Sequence, residues 1–333
     1  MDQINVIGAG AWGTALAISM AGSNRQIKLG CRHPEQATSI NTNRENKLYL
    51  SDVSIPQNVT AVTDIAELCR TDILLNVTPA QYVRDSLKTL APHLKPETAL
   101  VICAKGIEKS TGQMMSEVVT EIAPGQPFAI LSGPNFAREV ANNLPAATTL
   151  ATSYKDWAPR LTKAIGQPTF RPYYTDDVVG AQMGGAIKNV LAIACGIVAG
   201  AQLGENARAA LITRGMAEVL RLGEKLGGRA ETLMGLSGLG DLVLTCSSSA
   251  SRNFSLGEAL GQGHSLESIL GTRKSVTEGV HTAAALCKMA DKHKIEMPIC
   301  AAVNSILNEG AAVKDITQEL LARPFRDEKL AGF

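Results

Sequence analysis

Three glycines at positions 8, 10 and 13 stand between a short apolar run at 4–7 and an alanine-rich stretch at 14–20. A G-x-G-x-x-G that follows a strand and opens a helix restricts the fold strongly. Gly8 permits a tight turn, Gly10 lets a pyrophosphate approach the backbone, and Gly13 lets the helix pack close to the sheet. The helix N-terminus then offers N–H groups and the positive end of its dipole to an anion. Glycine turns are common, so the triplet counts because a strand precedes it and a helix follows. The reading is a dinucleotide cradle.

The pattern continues for half the chain. Apolar runs at 4–7, 26–31, 59–62, 73–77, 100–104, 128–131 and 147–151 alternate with helical patterns such as 79–90 and 112–122. Strand–helix alternation predicts a parallel, doubly wound sheet, an α/β Rossmann-like N-terminal domain. After about Thr175 the strand signals stop, and helical patterns follow at 177–201, 207–226, 239–247 and 277–293. The expected division is a dinucleotide domain over 1–176 and an all-α domain over 177–333, which agrees with 333 residues at roughly 150 per domain.

Composition removes several function classes. A net charge of +1 gives no bulk attraction to nucleic acid or anionic membrane, and 4% aromatic content argues against a base-stacking surface. With the glycine motif so near Met1, no cleaved signal peptide is expected. The uncharged stretch 189–204 is short of a membrane span and contains Gly196 and Gly200. Seven cysteines include no C-x-x-C, which suits reduced thiols in the cytoplasm. Five histidines show no ligand-type spacing, so no metal is expected.

Within this frame a few residues carry chemistry. Arg32 and His33 end the second strand, where an NAD-binding chain often has an acid for the ribose hydroxyl. An Arg there pairs with a 2′-phosphate, which leans the cofactor toward NADP(H) over NAD(H). Lys188 lies on a helix whose neighbouring turns present Gly180, Ala181, Gly184, Gly185, Ala192, Cys195 and Gly196. Each glycine costs a helix about 1 kcal/mol against alanine, so another helix or a ligand must come close. Lys188 then either snorkels outward from a tight packing face or is recessed, with a pKa lowered toward neutrality for acid–base work. Asn189 beside it adds a neutral donor and acceptor.

Lys105 follows the fifth strand and is expected to face the cofactor crevice at the strand's carboxyl end. Ser251, Arg252 and Asn253 enter a helix at 254–260 and suit a phosphate. The turn 235–241 delivers Asp241, either to orient a lysine or to cap a helix.

These residues fall in motifs that resemble the bacterial-type NAD(P)-dependent glycerol-3-phosphate dehydrogenases along nearly the whole length. The motifs are G-A-G-A-W-G-T-A-L-A, N-V-T-P-A-Q, A-K-G-I-E, S-G-P-N-F-A-R-E-V, K-N-V-L-A-I, L-S-G-L-G-D-L-V-L-T-C and S-x-S-R-N-x-x-x-G. The resemblance implies interconversion of dihydroxyacetone phosphate and sn-glycerol 3-phosphate for phospholipid synthesis. It also implies a C-terminal domain of the 6-phosphogluconate-dehydrogenase-like type. By the same resemblance Lys188 is the proton acceptor and donor. Lys105, Gly133, Asn135, Lys188, Asp241, Ser251, Arg252 and Asn253 are substrate contacts. Gly8, Gly10, Trp12, Gly13, Arg32, His33, Lys105, Ala137, Arg252, Val276 and Glu278 are cofactor contacts. Asn135 stands where the family often has Ser or Thr, and Ala11 where a hydroxyl residue is common.

Two other readings stay open at this level: a β-hydroxyacid dehydrogenase of the same architecture, with a substrate carboxylate at Arg252, and a non-catalytic dinucleotide sensor. The expected partner is a small phosphorylated molecule, with no nucleic acid and no membrane insertion. The oligomeric state is open, a homodimer included.

Overall fold

Eight strands form one sheet in the order β3-β2-β1-β4-β5-β6-β7-β8: β1 Ile4–Ile7, β2 Ile27–Gly30, β3 Val59–Val62, β4 Ile73–Asn76, β5 Ala99–Ile102, β6 Phe128–Ser132, β7 Ala146–Ala151 and β8 Phe170–Thr175. The computed structural model describes residues 2–22, 24–272 and 277–324. Strand order reverses between β1 and β4, so the turn that leaves β1 sits at the topological switch point, where open α/β sheets bind ligands. β4 and β5 are buried along their whole length, which explains why they read as continuous apolar runs. Ile4, Val6, Leu29, Ile73, Leu75 and Val101 share one core with the helix Ala11–Ala21.

Two features depart from the sequence expectation. β7 runs antiparallel to β6, so the sheet is not wholly parallel. The link between them carries only the five-residue helix Ala137–Ala141, about 7.5 Å long at 1.5 Å per residue. That cannot return the chain along strands of about 17–20 Å, and the next strand enters in the opposite direction. The second departure is β8, F-R-P-Y-Y-T, which had not been expected as a strand. Its Pro172 removes a ladder donor, which is tolerated because β8 is an edge strand.

The chain groups into two compact units. One holds residues up to 104 and 115–178; the other holds 105–114 and 179 onward. The segment 105–114 belongs with the helices because Ile107 and Met114 lie in their hydrophobic core.

The centre of the helical unit is Val178–Gly200. By length and composition it could cross a membrane, yet 89% of its apolar window is buried in the protein. Apart from Gln182, Lys188 and Asn189 it is built of apolar and small residues, as a helix enclosed by others should be. Two of its glycines are explained by what touches them. A Cβ on Gly196 would overlap Phe254 O, and one on Gly200 would overlap Glu258 O. Reciprocally, Gly257 has no room beside Ile193 O, nor Gly261 beside Ile197 O. Two glycine pairs, four residues apart on each helix, thus let Val178–Gly200 and Arg252–Gly261 meet backbone to backbone. Ser251 caps the second helix, its Oγ accepting from Phe254 N at 3.2 Å, a contact of about 1 kcal/mol.

Candidate active site

The glycines of the first unit have different jobs. Gly8 has φ +104°, a left-handed conformation that favours glycine, and a Cβ there would lie 3.0 Å from Val77 C. A Cβ on Gly13 would overlap Gly8 O. Both are therefore required by the fold. Gly10 is not: its φ is −78° and a Cβ would meet nothing within 4 Å. The open space at Gly10 fits a ligand that approaches the backbone. The helix Ala11–Ala21 starts there with no side-chain cap and no acid in its first turn, leaving its first N–H groups for an anion. This half-site therefore fits a dinucleotide pyrophosphate.

The difference between the glycines gives a measurable contrast. Gly13→Ala is expected to cost roughly 1–3 kcal/mol of stability through overpacking. Gly10→Ala should cost under about 1 kcal/mol yet weaken NADPH binding. Denaturant titration and NADPH titration of the two variants check this; equal dinucleotide affinity for Gly10→Ala and the parent would sink the role of Gly10.

In the helical unit Lys188 is recessed. Its Nζ donates to Asp241 Oδ1 at 2.5 Å and to Thr245 Oγ1 at 2.9 Å. Asp241, 1% exposed, takes a second lysine on its other oxygen: Lys105 Nζ donates to Oδ2 at 2.7 Å. Thr245 Oγ1 donates onward to Asp241 O at 2.6 Å, one helical turn back.

Burial draws the Lys188 pKa down to about 8; the Asp241 carboxylate opposes that, and the Lys105 charge adds to it. The cause is desolvation of the ammonium. A lysine with this pKa exchanges a proton near neutrality, which an exposed one does poorly.

The local geometry follows from the glycines. A Cβ on Gly184, one turn before Lys188, would lie 2.5 Å from Ser237 O and 2.6 Å from Gly238 Cα. Its absence lets the turn Leu236–Gly240 dock on the helix and present Asp241, the first residue of Asp241–Cys246, to the lysine.

Asn189 joins three segments. Its Nδ2 donates to Lys105 O at 3.2 Å, and its Oδ1 accepts from Asn253 Nδ2 at 2.9 Å. Asn253 Oδ1 in turn accepts from Gly279 N at 3.1 Å. Among the described residues no group of three or more His, Cys, Asp or Glu side chains could hold a metal ion.

Residues 3–158 match the model for the NAD-dependent glycerol-3-phosphate dehydrogenase N-terminus, and residues 177–318 match the model for the C-terminus of the same enzyme. The chain belongs to the NAD-dependent glycerol-3-phosphate dehydrogenase family. It is 53% identical over 326 residues to a glycerol-3-phosphate dehydrogenase [NAD(P)+] of Parvibaculum lavamentivorans, covering 98% of each chain. It is likewise 53% identical to one of Rhodospirillum rubrum, with 98% and 94% covered. A crystal structure of glycerol-3-phosphate dehydrogenase from Coxiella burnetii superposes with a TM-score of 0.93 at 37% identity, covering 97% of this chain and 99% of that one.

The residues that the family resemblance picked out fall into the two units. In the helical unit Lys105, Lys188, Asp241 and Asn253 join one network, with Ser251 and Arg252 at the entrance of the helix that carries Asn253. Lys105 turns its ammonium to Asp241. Asp241 orients lysines and does not cap its own helix by its side chain. Ser251 spends an acceptor site on the helix cap, which leaves its O–H as a donor. Arg252 is exposed, and Glu278 opens the helix Glu278–His293. Val276 lies outside the described residues.

In the dinucleotide unit Trp12 sits in the first turn of its helix, its ring 6.3 Å from that of Phe170 in an edge contact. Arg32 and His33 are exposed beyond β2. Gly133 is glycine because a Cβ would lie 2.8 Å from Thr148 Cα. Asn135 donates to Pro134 O and Ala147 O, both at 2.9 Å, and so pins its own turn. Ala137 begins the short helix after β6.

Sequence reasoning did not single out Thr245, Gln36 or Asn46. Thr245 had a usable signal, since it stands four residues after Asp241 on one helix face.

Proposed function

We propose that this chain reduces dihydroxyacetone phosphate to sn-glycerol 3-phosphate, and runs the reverse oxidation, with Lys188 as the proton donor and acceptor. The observation that carries the assignment is the recessed Lys188 ammonium, bonded to Asp241 and Thr245, with a pKa near 8. A bound nicotinamide cofactor supplies or takes the hydride at C2 of the substrate. Lys188 as ammonium gives its proton to the developing alkoxide; as the neutral amine it takes that proton back in oxidation. Asp241 holds two of the site's cations in place, and Lys105 places a positive charge where the alkoxide charge develops. Arg252 and Asn253 hold the substrate phosphate, with the Ser251 hydroxyl beside them, which orients the ketone. Gly8, Gly10 and Gly13 shape the pyrophosphate cradle, and Arg32 with His33 meets the ribose end, which favours NADP(H). The product feeds phospholipid synthesis in the cytoplasm, where the chain's seven free cysteines stay reduced.

The test is a direct assay of dihydroxyacetone phosphate reduction with NADPH and NADH in separate runs, with 3-hydroxy acids as competing substrates in oxidation. Turnover of the phosphorylated ketone is expected. Turnover of 3-hydroxy acids alone would move the chain to another dehydrogenase class, and binding of NADPH without any turnover would make it a sensor. In the same assay Arg252→Ala should raise KM for the phosphorylated substrate roughly ten- to a hundredfold, the worth of charged hydrogen bonds. An unchanged KM would remove Arg252 from the phosphate site. Arg32→Ala should erode the preference for NADPH, and an unchanged cofactor ratio would count against its role.

A further inference from the structure

The carbonyl of Ala9, between the first two glycines of the cradle, accepts two side-chain hydrogen bonds. Gln36 Nε2 donates at 2.7 Å and Asn46 Nδ2 at 3.0 Å. Asn46 is 2% exposed, and its Nδ2 also donates to Thr14 Oγ1 at 2.9 Å, in the first turns of the helix that leaves the cradle. A carbonyl oxygen has two lone pairs, so both are taken.

The consequence lies one bond further on. In a trans peptide the C=O and the following N–H point in opposite directions, and no described peptide is cis. Holding Ala9 O toward Gln36 and Asn46 therefore aims Gly10 N–H away from them. Among the described residues no backbone or side-chain acceptor takes that N–H. Gly10 also needs this restraint. Glycine admits a ligand, but it frees the backbone, so the Ala9–Gly10 peptide could rotate at little cost. Two donors from outside the motif, one on the helix Pro34–Asn43 and one just beyond it, supply the rigidity that the glycine gives up.

We propose that Asn46 and Gln36 are positioning residues for the cofactor, locking the Ala9–Gly10 peptide so that its N–H donates to the dinucleotide pyrophosphate. The proposal rests on the dinucleotide reading of the cradle.

Its test is equilibrium binding, followed by intrinsic fluorescence, of NADPH and of adenosine 2′-monophosphate, which has no pyrophosphate. The full-length variants are Gln36→Met and Asn46→Leu, which remove the donors without adding charge. Gln36 is half-exposed, so its variant should fold even if the buried Asn46→Leu does not. Each change is expected to weaken NADPH roughly fivefold, the worth of about one neutral hydrogen bond. The affinity for adenosine 2′-monophosphate should stay at the parent value. Parent-like NADPH affinity in Gln36→Met overturns the proposal, and so does a parallel loss for both ligands, which would mark general loosening. A parent chain that binds no NADPH would instead overturn the cofactor reading, and this proposal with it.

Discussion

Lys188→Ala is expected to lower kcat for dihydroxyacetone phosphate reduction by about two to four decades, the usual contribution of a positioned acid–base group. The fold should survive the change. Removing Lys188 leaves Asp241 paired with Lys105 at 2.7 Å, so no buried carboxylate is orphaned. Stopped-flow or steady-state kinetics with NADPH, beside a denaturation curve, separates the two effects. Near-normal turnover would reject Lys188 as the proton donor.

The parent's pH profile carries the same signature. Reduction needs the ammonium, so kcat/KM for reduction should fall as pH rises through about 8, the Lys188 value in the free protein. Oxidation needs the free amine and should rise through the same pH. Stability has its own sign. The folded pKa of Lys188 lies below the unfolded value of about 10.4, so the unfolded chain binds more protons between those two values. The Lys188 contribution therefore makes the fold more stable as pH rises from about 8 to about 10.4, and its penalty is complete below 8.

Asp241→Ala should do the opposite kind of damage. It removes the carboxylate that the Lys105 and Lys188 ammonium groups share. Breaking a buried ion pair from one side costs about 3–5 kcal/mol, enough to be plain in a urea titration. Asp241→Asn is the informative companion, since it keeps the shape and removes the charge. The carboxylate raises the Lys188 pKa against the effect of burial. Its loss should therefore move the kcat/KM inflection below 8. An inflection left at 8 in Asp241→Asn would show that Asp241 does not tune the lysine.

Much of the first unit was legible in the chain because its signals are local. The run 4–7, the glycine turn and the helix after it are contiguous, and β1 appears at Ile4–Ile7 as read. The reversal of β7 and the existence of β8 were not legible. The direction of β7 depends on the length of the connection before it, and β8 carries a proline that only an edge position excuses. In the helical unit the clustered glycines signalled close approach without naming what approached. The answer is divided: Gly184 admits the turn before Asp241, whereas Gly196 and Gly200 admit a helix backbone.

The amino-acid order alone settled the strand–turn–helix of the cradle and the helical character of the second half, because hydrophobic period and glycine spacing act over a few residues. The tertiary structure alone decided which acid serves which lysine. Asp241 meets Lys188 across 53 residues and Lys105 across 136. No local pattern encodes such a pairing, because it exists only once packing has brought a turn against a helix and excluded the water that would hold the three charges apart.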